Sequence, residues 1–197
     1  VYNKHSDFKE SNIGLNKGED YNIGGKTKIV GSKIFVFYEG NHKLLDAQIK
    51  SGLTELMINQ IMYGGSVKDA VKNSTLLTLP DWYSKGLISY ISTPWDTELD
   101  DQIRDGILSE KYKKFNHLTG NDAVLAGHSI WRYVADMYGE SVIPSTLYMT
   151  EISRNIESGF LFILGTSLKS LSKDWISYYN NKYAALDSLR TLPEEKP

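Results

Sequence analysis

The stretch Leu79-Pro-Asp-Trp-Tyr-Ser-Lys-Gly-Leu-Ile-Ser-Tyr90 decides the fold of this 197-residue chain. Asp81 follows a proline and has a side-chain acceptor suited to an N-cap, so the stretch predicts a helix that starts there and runs to Ile91. Thr93-Pro94 closes this helix, because proline lacks the N–H group that helical hydrogen bonding requires. The sequence on either side is interpreted outward from this helix.

Upstream, the sequence predicts one strong strand followed by a long helix. Residues 33–38 form a β-branched and aromatic run that ends in turn residues, which is typical of a strand. From Lys43 to Tyr63 apolar residues recur at a mostly helical spacing, and the glycine pair that follows ends the helix. Residues 1–32 are polar and rich in glycine, and they predict an irregular lead-in with a short strand near 27–30.

Downstream, the pattern is almost entirely helical. The pair Asn180-Asn181 is expected to end the last helix, and residues 182–197 are expected to form a polar linker or tail. The sequence therefore predicts an α+β, mostly helical chain with a small N-terminal strand element and one domain over residues 33–181. Further helices are predicted at 66–72, 96–110, 123–138, 141–153, 155–164 and 167–181.

Composition excludes several classes of function. Twenty-two basic residues against 24 acidic ones give a net charge of −2, which argues against nucleic acid as a partner. No apolar run approaches the roughly 20 residues that a membrane-spanning helix needs. The chain has no cysteine, and no two of its four histidines are three or four residues apart, so the sequence predicts no metal site and no cofactor.

The four tryptophans and His128 could each have a structural role or a role at a site. Trp82, Trp131 and Trp175 lie within predicted amphipathic helices, where core packing is favoured over ligand stacking. Trp95 follows a proline in a loop and, if exposed, would be suited to a binding surface. His128 lies within a predicted helix, where a polar or capping role is favoured over a catalytic one.

Residues 79–90 resemble a motif of the gluzincin metallopeptidases, the HExxH enzymes of the MA clan. In that family the motif runs Leu-Pro-x-Trp-aromatic-x-Glu-Gly-small-x-x-Tyr, and its Glu is the third zinc ligand. Residues 126–139 resemble the family's helix that ends in Tyr-Gly, and residues 160–175 resemble its closing segment. The resemblance covers about residues 33–180 and implies a thermolysin-type peptidase fold.

The same resemblance implies a biological context. The chain is similar to peptidase-like domains that precede TolB-like β-propellers in exported bacterial proteins. This similarity implies a C-terminal β-propeller in the full-length protein and a location in the periplasm or cell envelope.

The positions that would hold the metal depart from the family pattern. Aligned to HExxH, Ser51 replaces the first His, Gly52 the catalytic Glu and Glu55 the second His, while Lys85 replaces the third ligand. Zinc in this family needs two neutral imidazoles and a carboxylate, with a further carboxylate as the base. The resemblance therefore implies a domain without peptidase activity.

Two expectations concern the residues that replaced the metal site. Glu55 and Lys85 are expected to form a semi-buried ion pair between their helices, since a buried charge needs a partner. The alternative is that Lys85 extends into solvent and Glu55 stays exposed. Gly52 costs roughly 0.5–1 kcal/mol in a helix interior relative to Ala, which suggests a closely packed neighbour.

The resemblance implies a scaffold or a protein- or peptide-binding module as the first functional expectation. An extended peptide would add to the strand at 33–38, alongside the helix that ends at Tyr63. A hydrolase that uses other residues and a glycan-binding domain that uses Trp95 are the alternatives, and the oligomeric state stays open. The candidate cleft residues are Phe35, Phe37, Glu55, Lys85, Trp95 and His128.

Overall fold

The computed structural model describes residues 1–10, 28–30, 33–38, 40–64 and 77–188. Strands β1 (Lys28–Val30) and β2 (Lys33–Phe35) form an antiparallel pair, and the rest of the regular structure described is helical. The predicted α+β, mostly helical class with a small N-terminal strand element is confirmed. The helices are α1 (His5–Glu10), α2 (His42–Tyr63), α3 (Asp81–Ser92), α4 (Thr97–Leu108), the 3-10 helix η1 (Lys111–His117), α5 (Gly120–Tyr138), α6 (Val142–Ser153), α7 (Ile156–Leu164) and α8 (Leu168–Ser188).

Short polar side chains begin several of these helices. The Asn41 side chain accepts hydrogen bonds from Lys43 N and Leu44 N in the first turn of α2. Asp96 accepts from Leu99 N at the start of α4, and Asn155 accepts from Ser158 N at the start of α7. Each bond satisfies a donor that the first turn of a helix leaves unpaired.

Two predicted helix ends are wrong. The N-cap of α3 is Pro80, which makes no side-chain capping bond, and Asp81 is the first helical residue. The last helix does not end at Asn180-Asn181 but continues to Ser188, so the predicted domain end at 181 and the linker from 182 are wrong over residues 182–188. Tyr183 is fully buried, and the apolar contact that it makes outweighs the weak helix propensity of asparagine.

The first ten residues are not an irregular lead-in. They include α1, whose Phe8 is buried and stacks on Phe37 with 6.0 Å between ring centroids. The main chain of Tyr2 bridges to Phe37 as a short parallel extension of the strand region. The strand expected near 27–30 is confirmed as β1, whereas the helix predicted at 66–72 and the tail at 189–197 lie outside the described residues.

Two glycines set the crossing of α3 and α5. A Cβ atom built on Gly86 would lie 2.5 Å from Gly127 Cα, and one built on Gly127 would overlap the carbonyl oxygen of Trp82. The two helix backbones are therefore in direct contact, an approach that only glycine permits. This crossing is the most extensive contact between two elements in the described part of the chain.

Aromatic side chains fill the core around the crossing. Trp82, Trp131 and Trp175 are fully buried, which confirms their predicted core role. Their indole N–H groups are satisfied: Trp131 donates to Tyr83 O at 2.9 Å, and Trp175 donates to Ser129 Oγ at 3.2 Å. Buried aromatic rings with paired polar atoms add packing without an unsatisfied donor.

We expect Gly127→Ala to destabilise the protein by about 3 kcal/mol, because the new methyl group meets backbone atoms that cannot move without separating α3 from α5. This loss exceeds the roughly 1 kcal/mol that Ala gains over Gly in a helix. Urea unfolding followed by circular dichroism measures the change. Met137→Ala on the exposed side of α5 is the control, and a similar small change in both variants would contradict the crossing.

Candidate functional site

The four residues that the resemblance aligns with the zinc ligands and the catalytic base lie on α2 and α3, which pack against each other. Ser51 and Glu55 are half-buried, Gly52 is buried and Lys85 is exposed. Burial raises the pKa of the Glu55 carboxyl above its ordinary value, and the positive charge of Lys85 partly lowers it again. The structure therefore brings Glu55 and Lys85 within electrostatic range of each other.

The predicted direct ion pair between Glu55 and Lys85 is wrong. Lys85 Nζ lies 2.9 Å from Asp81 Oδ1, one helical turn earlier, and no ion pair within 4.0 Å involves Glu55 among the described residues. The Lys85 side chain is 59% exposed, as the solvent-facing alternative expected. A partner at i−4 on the same helix leaves the ammonium hydrated, whereas pairing with a half-buried carboxyl would have removed water from it.

The strand region lies beside the first half of α2. Phe37 N donates to the buried Gln48 Oε1 at 3.3 Å, which ties the segment after β2 to the helix one turn before Ser51. The main chain of Tyr2 pairs with the residues on either side of Phe37. Tyr2 N donates to Val36 O, and Tyr38 N donates to Tyr2 O, both at 2.8 Å. An added peptide strand would therefore compete with Tyr2 over residues 36–38.

The two aromatic cleft candidates in this region differ in access. Phe37 is only 2% exposed and packs on Phe8, so its role as a ligand contact is wrong. Phe35 is half-buried, and its ring centroid lies 6.5 Å from that of Tyr2. Phe37, which is part of the run that predicts the strand, is thus a core residue.

Trp95 and His128 meet in a second cluster, with 5.6 Å between their ring centroids. Trp95 is half-buried: the Arg132 guanidinium lies 4.3 Å from its ring centroid, and Tyr179 stacks on it at 5.9 Å. Its indole N–H donates to Asp100 Oδ1 at 2.9 Å. Trp95 therefore lacks the full exposure on which its suitability for a binding surface depended, because cation–π and stacking contacts hold the ring against α5 and α8.

His128 is buried, with 1% of its surface exposed, and its Nδ1 lies 2.9 Å from Ser89 Oγ on α3. Burial, with a smaller contribution from the Arg132 charge, lowers the pKa of the imidazole to about 4. The ring is therefore neutral at pH 7, and the histidine joins two helices rather than capping one. A buried position without access to solvent also argues against a ligand contact at the cleft.

Sequence reasoning missed Ser89 as the partner of His128. The available signal is that Ser89 follows Gly86 by one turn and His128 is adjacent to Gly127, so both flank the glycine crossing. A serine–histidine contact occurs in nucleophilic sites, where a third group orients the histidine. Among the hydrogen bonds of the described residues, none joins His128 to a carboxylate.

Over the described residues, no group of three or more His, Asp or Glu side chains could hold a metal ion. No described helix is both long enough and apolar enough to cross a membrane.

Comparisons with protein-family models, curated proteins and solved structures find no match for this chain. Its function is therefore inferred from its own residues.

We expect the free energy of unfolding to fall as the pH is lowered from 6.5 to about 4, because the unfolded chain protonates His128 in this window and the folded chain does not. At the acid end of this window, the lowered pKa of His128 reduces the free energy of unfolding by about 3 kcal/mol. Denaturant unfolding at several pH values measures the slope. His128→Gln is expected to flatten it, while His117→Gln, at an exposed histidine, keeps it; equal slopes in all three proteins would contradict this account.

Proposed function

We propose that the chain is a non-catalytic, gluzincin-like peptidase domain that acts as a scaffold or protein-interaction module of a larger cell-envelope protein. The observation that carries the proposal is the packing of α2 against α3 with Glu55 and Lys85 in electrostatic range. These are two of the positions that the resemblance assigns to zinc ligands. The tie between Phe37 N and Gln48 supports it further, because gluzincins hold a strand alongside the same helix.

The residue types at the four positions argue against peptidase chemistry. Ser51 offers only a weak neutral ligand, and the ammonium of Lys85 repels a divalent cation at short range. Gly52 has no side chain that could take a proton from a metal-bound water. Restoring such a site would require changes at all four positions.

Part of the α2 surface favours an interaction role. Leu53, Met57 and Ile61 follow one another at one-turn intervals, and each is exposed. Apolar side chains aligned on one helix face are typical of a surface that contacts another protein. The edge after β2, in contrast, is paired with Tyr2 of the same chain, which favours a scaffold or helix-face contact over peptide addition.

A restored zinc site tests the proposal. We expect the variant Ser51→His, Gly52→Glu, Glu55→His, Lys85→Glu to bind zinc, because two imidazoles at i and i+4 on α2 would face a carboxylate on α3. Competition with a chromophoric chelator measures the affinity. The unchanged protein is expected to show no stoichiometric zinc and no hydrolysis of unstructured peptides.

The matched control is the same variant with Lys85→Gln in place of Lys85→Glu. A histidine pair on one helix binds some zinc by itself, so the carboxylate at position 85 should strengthen binding by at least about tenfold over the control. Circular dichroism checks that both variants are folded. Equal affinities would mean that position 85 does not face the α2 pair, and the gluzincin-like arrangement would be rejected.

A further inference from the structure

A surface cavity of about 480 Å³, wide open to solvent, lies where η1, α7 and the start of α8 meet. It is lined by the lysines Lys113, Lys114, Lys169 and Lys173, with Glu157 as its one carboxylate. The volume falls in the range of about 300–1,000 Å³ that is usual for small-molecule sites. This cationic lining contrasts with the net charge of −2 of the whole chain.

The shape of η1 concentrates the positive charge. Lys114 has non-helical backbone angles, φ −113° and ψ 47°, which kink η1 at its centre. As a result the consecutive residues 113–117 all line the cavity, whereas a regular helix would turn some of them away. The start of α8 faces the same space and adds the positive end of its dipole.

Most of these charges have no ion-pair partner among the residues that the structure describes. Lys113 Nζ pairs with Glu110 at 2.6 Å, but within the described ranges no ion pair involves Lys114, Lys169 or Lys173. Glu157 Oε1 already accepts from Leu168 N at 3.2 Å. Like charges held around one cavity repel one another, and a bound multivalent anion would relieve that repulsion.

Two of the residues that line the cavity are attached to the aromatic core. Phe115 is buried, and Asn116 Oδ1 accepts from the indole N–H of the fully buried Trp82 at 2.7 Å. The η1 segment that carries Lys113 and Lys114 is therefore held against the aromatic core. A preformed site loses less conformational entropy when it binds a ligand.

We propose that this cavity binds a small anion that carries a phosphate group with two or more negative charges. Three ammonium groups that have no ion-pair partner within the described part of the chain match the several oxygens of a phosphate better than the single charge of a carboxylate. The phosphate could belong to a soluble compound or to a lipid headgroup, and both share this chemistry. The inference does not depend on the peptidase-like arrangement, since none of the lining residues lies on α2 or α3.

Isothermal titration calorimetry with inorganic pyrophosphate tests the site at low and at physiological salt. We expect saturable binding that Lys169→Gln with Lys173→Gln weakens by about tenfold or more. The control is Lys43→Gln with Lys50→Gln on α2, which removes the same charge outside the cavity and should leave the affinity within about twofold. Unfolding midpoints confirm that both variants are folded.

Co-sedimentation with phosphatidylcholine vesicles containing phosphatidic acid distinguishes the two sources of phosphate. Binding to vesicles that the cavity variant loses and the control retains would assign the site to a headgroup, whereas binding to pyrophosphate alone would assign it to a soluble ligand. An equal loss in both variants, or no binding of either probe by the unchanged protein, would overturn the proposal.

Discussion

The backbone contact between Gly86 and Gly127 is the constraint on which the rest of the structure depends. It brings α3 and α5 closer than any side chain allows, and the close approach places the Trp82 carbonyl against α5. Ser89 and His128 flank the same point and join the two helices by a partly buried hydrogen bond. Around it the aromatic core packs with its indole donors paired, so the position of α3 is set from several directions.

A fixed α3 explains how a site could change while its framework is kept. The stabilising contacts of α3 run through the glycine crossing and the buried Trp82 and Tyr83 rather than through Lys85. In the proposed account, the ligand positions were free to become Ser51, Glu55 and Lys85 because none of them belongs to the apolar core. Catalytic residues are generally poor contributors to stability, so their loss leaves the fold intact.

The cationic cavity is also attached to this aromatic core, through a hydrogen bond of Trp82. Trp82 connects α3 to η1 through Asn116, so the wall that carries Lys113 and Lys114 is attached to the crossing that positions α3. The fold thus supports two separate surfaces: one carries the positions that the proposed function assigns to former metal ligands, and one carries ammonium groups without an ion-pair partner among the described residues. Only the second has the charge that a phosphate ligand needs.

Local pattern predicted the helices well, because apolar spacing and capping residues act over one or two turns. It failed where a distant contact decides the outcome. Tyr183 carries α8 past Asn180-Asn181 by being buried, and Phe8 becomes part of the fold by stacking on Phe37. The predicted pairing of Lys85 was wrong because Asp81, one turn away on the same helix, is the nearer partner.

The site was predictable only in part for the same reason. The four positions that the resemblance aligns with a zinc site could be located by motif, whereas the contact of Ser89 with His128 joins residues far apart in the chain. The lysines of the cavity come from η1 and α8, and no spacing rule connects those segments. Apart from the two glycines that flank Ser89 and His128, no local spacing in the sequence indicates such tertiary contacts.

The central claim is that positions 55 and 85 face each other across α2 and α3. The chain has no cysteine, so a pair of introduced thiols can be joined without interference. The account predicts that a short bifunctional thiol reagent links Glu55→Cys with Lys85→Cys rapidly in the folded protein. It should not link Met57→Cys with Lys85→Cys, because Met57 lies on the exposed face of α2. Equal linking of both pairs, or of neither, measured by mass spectrometry, would contradict it.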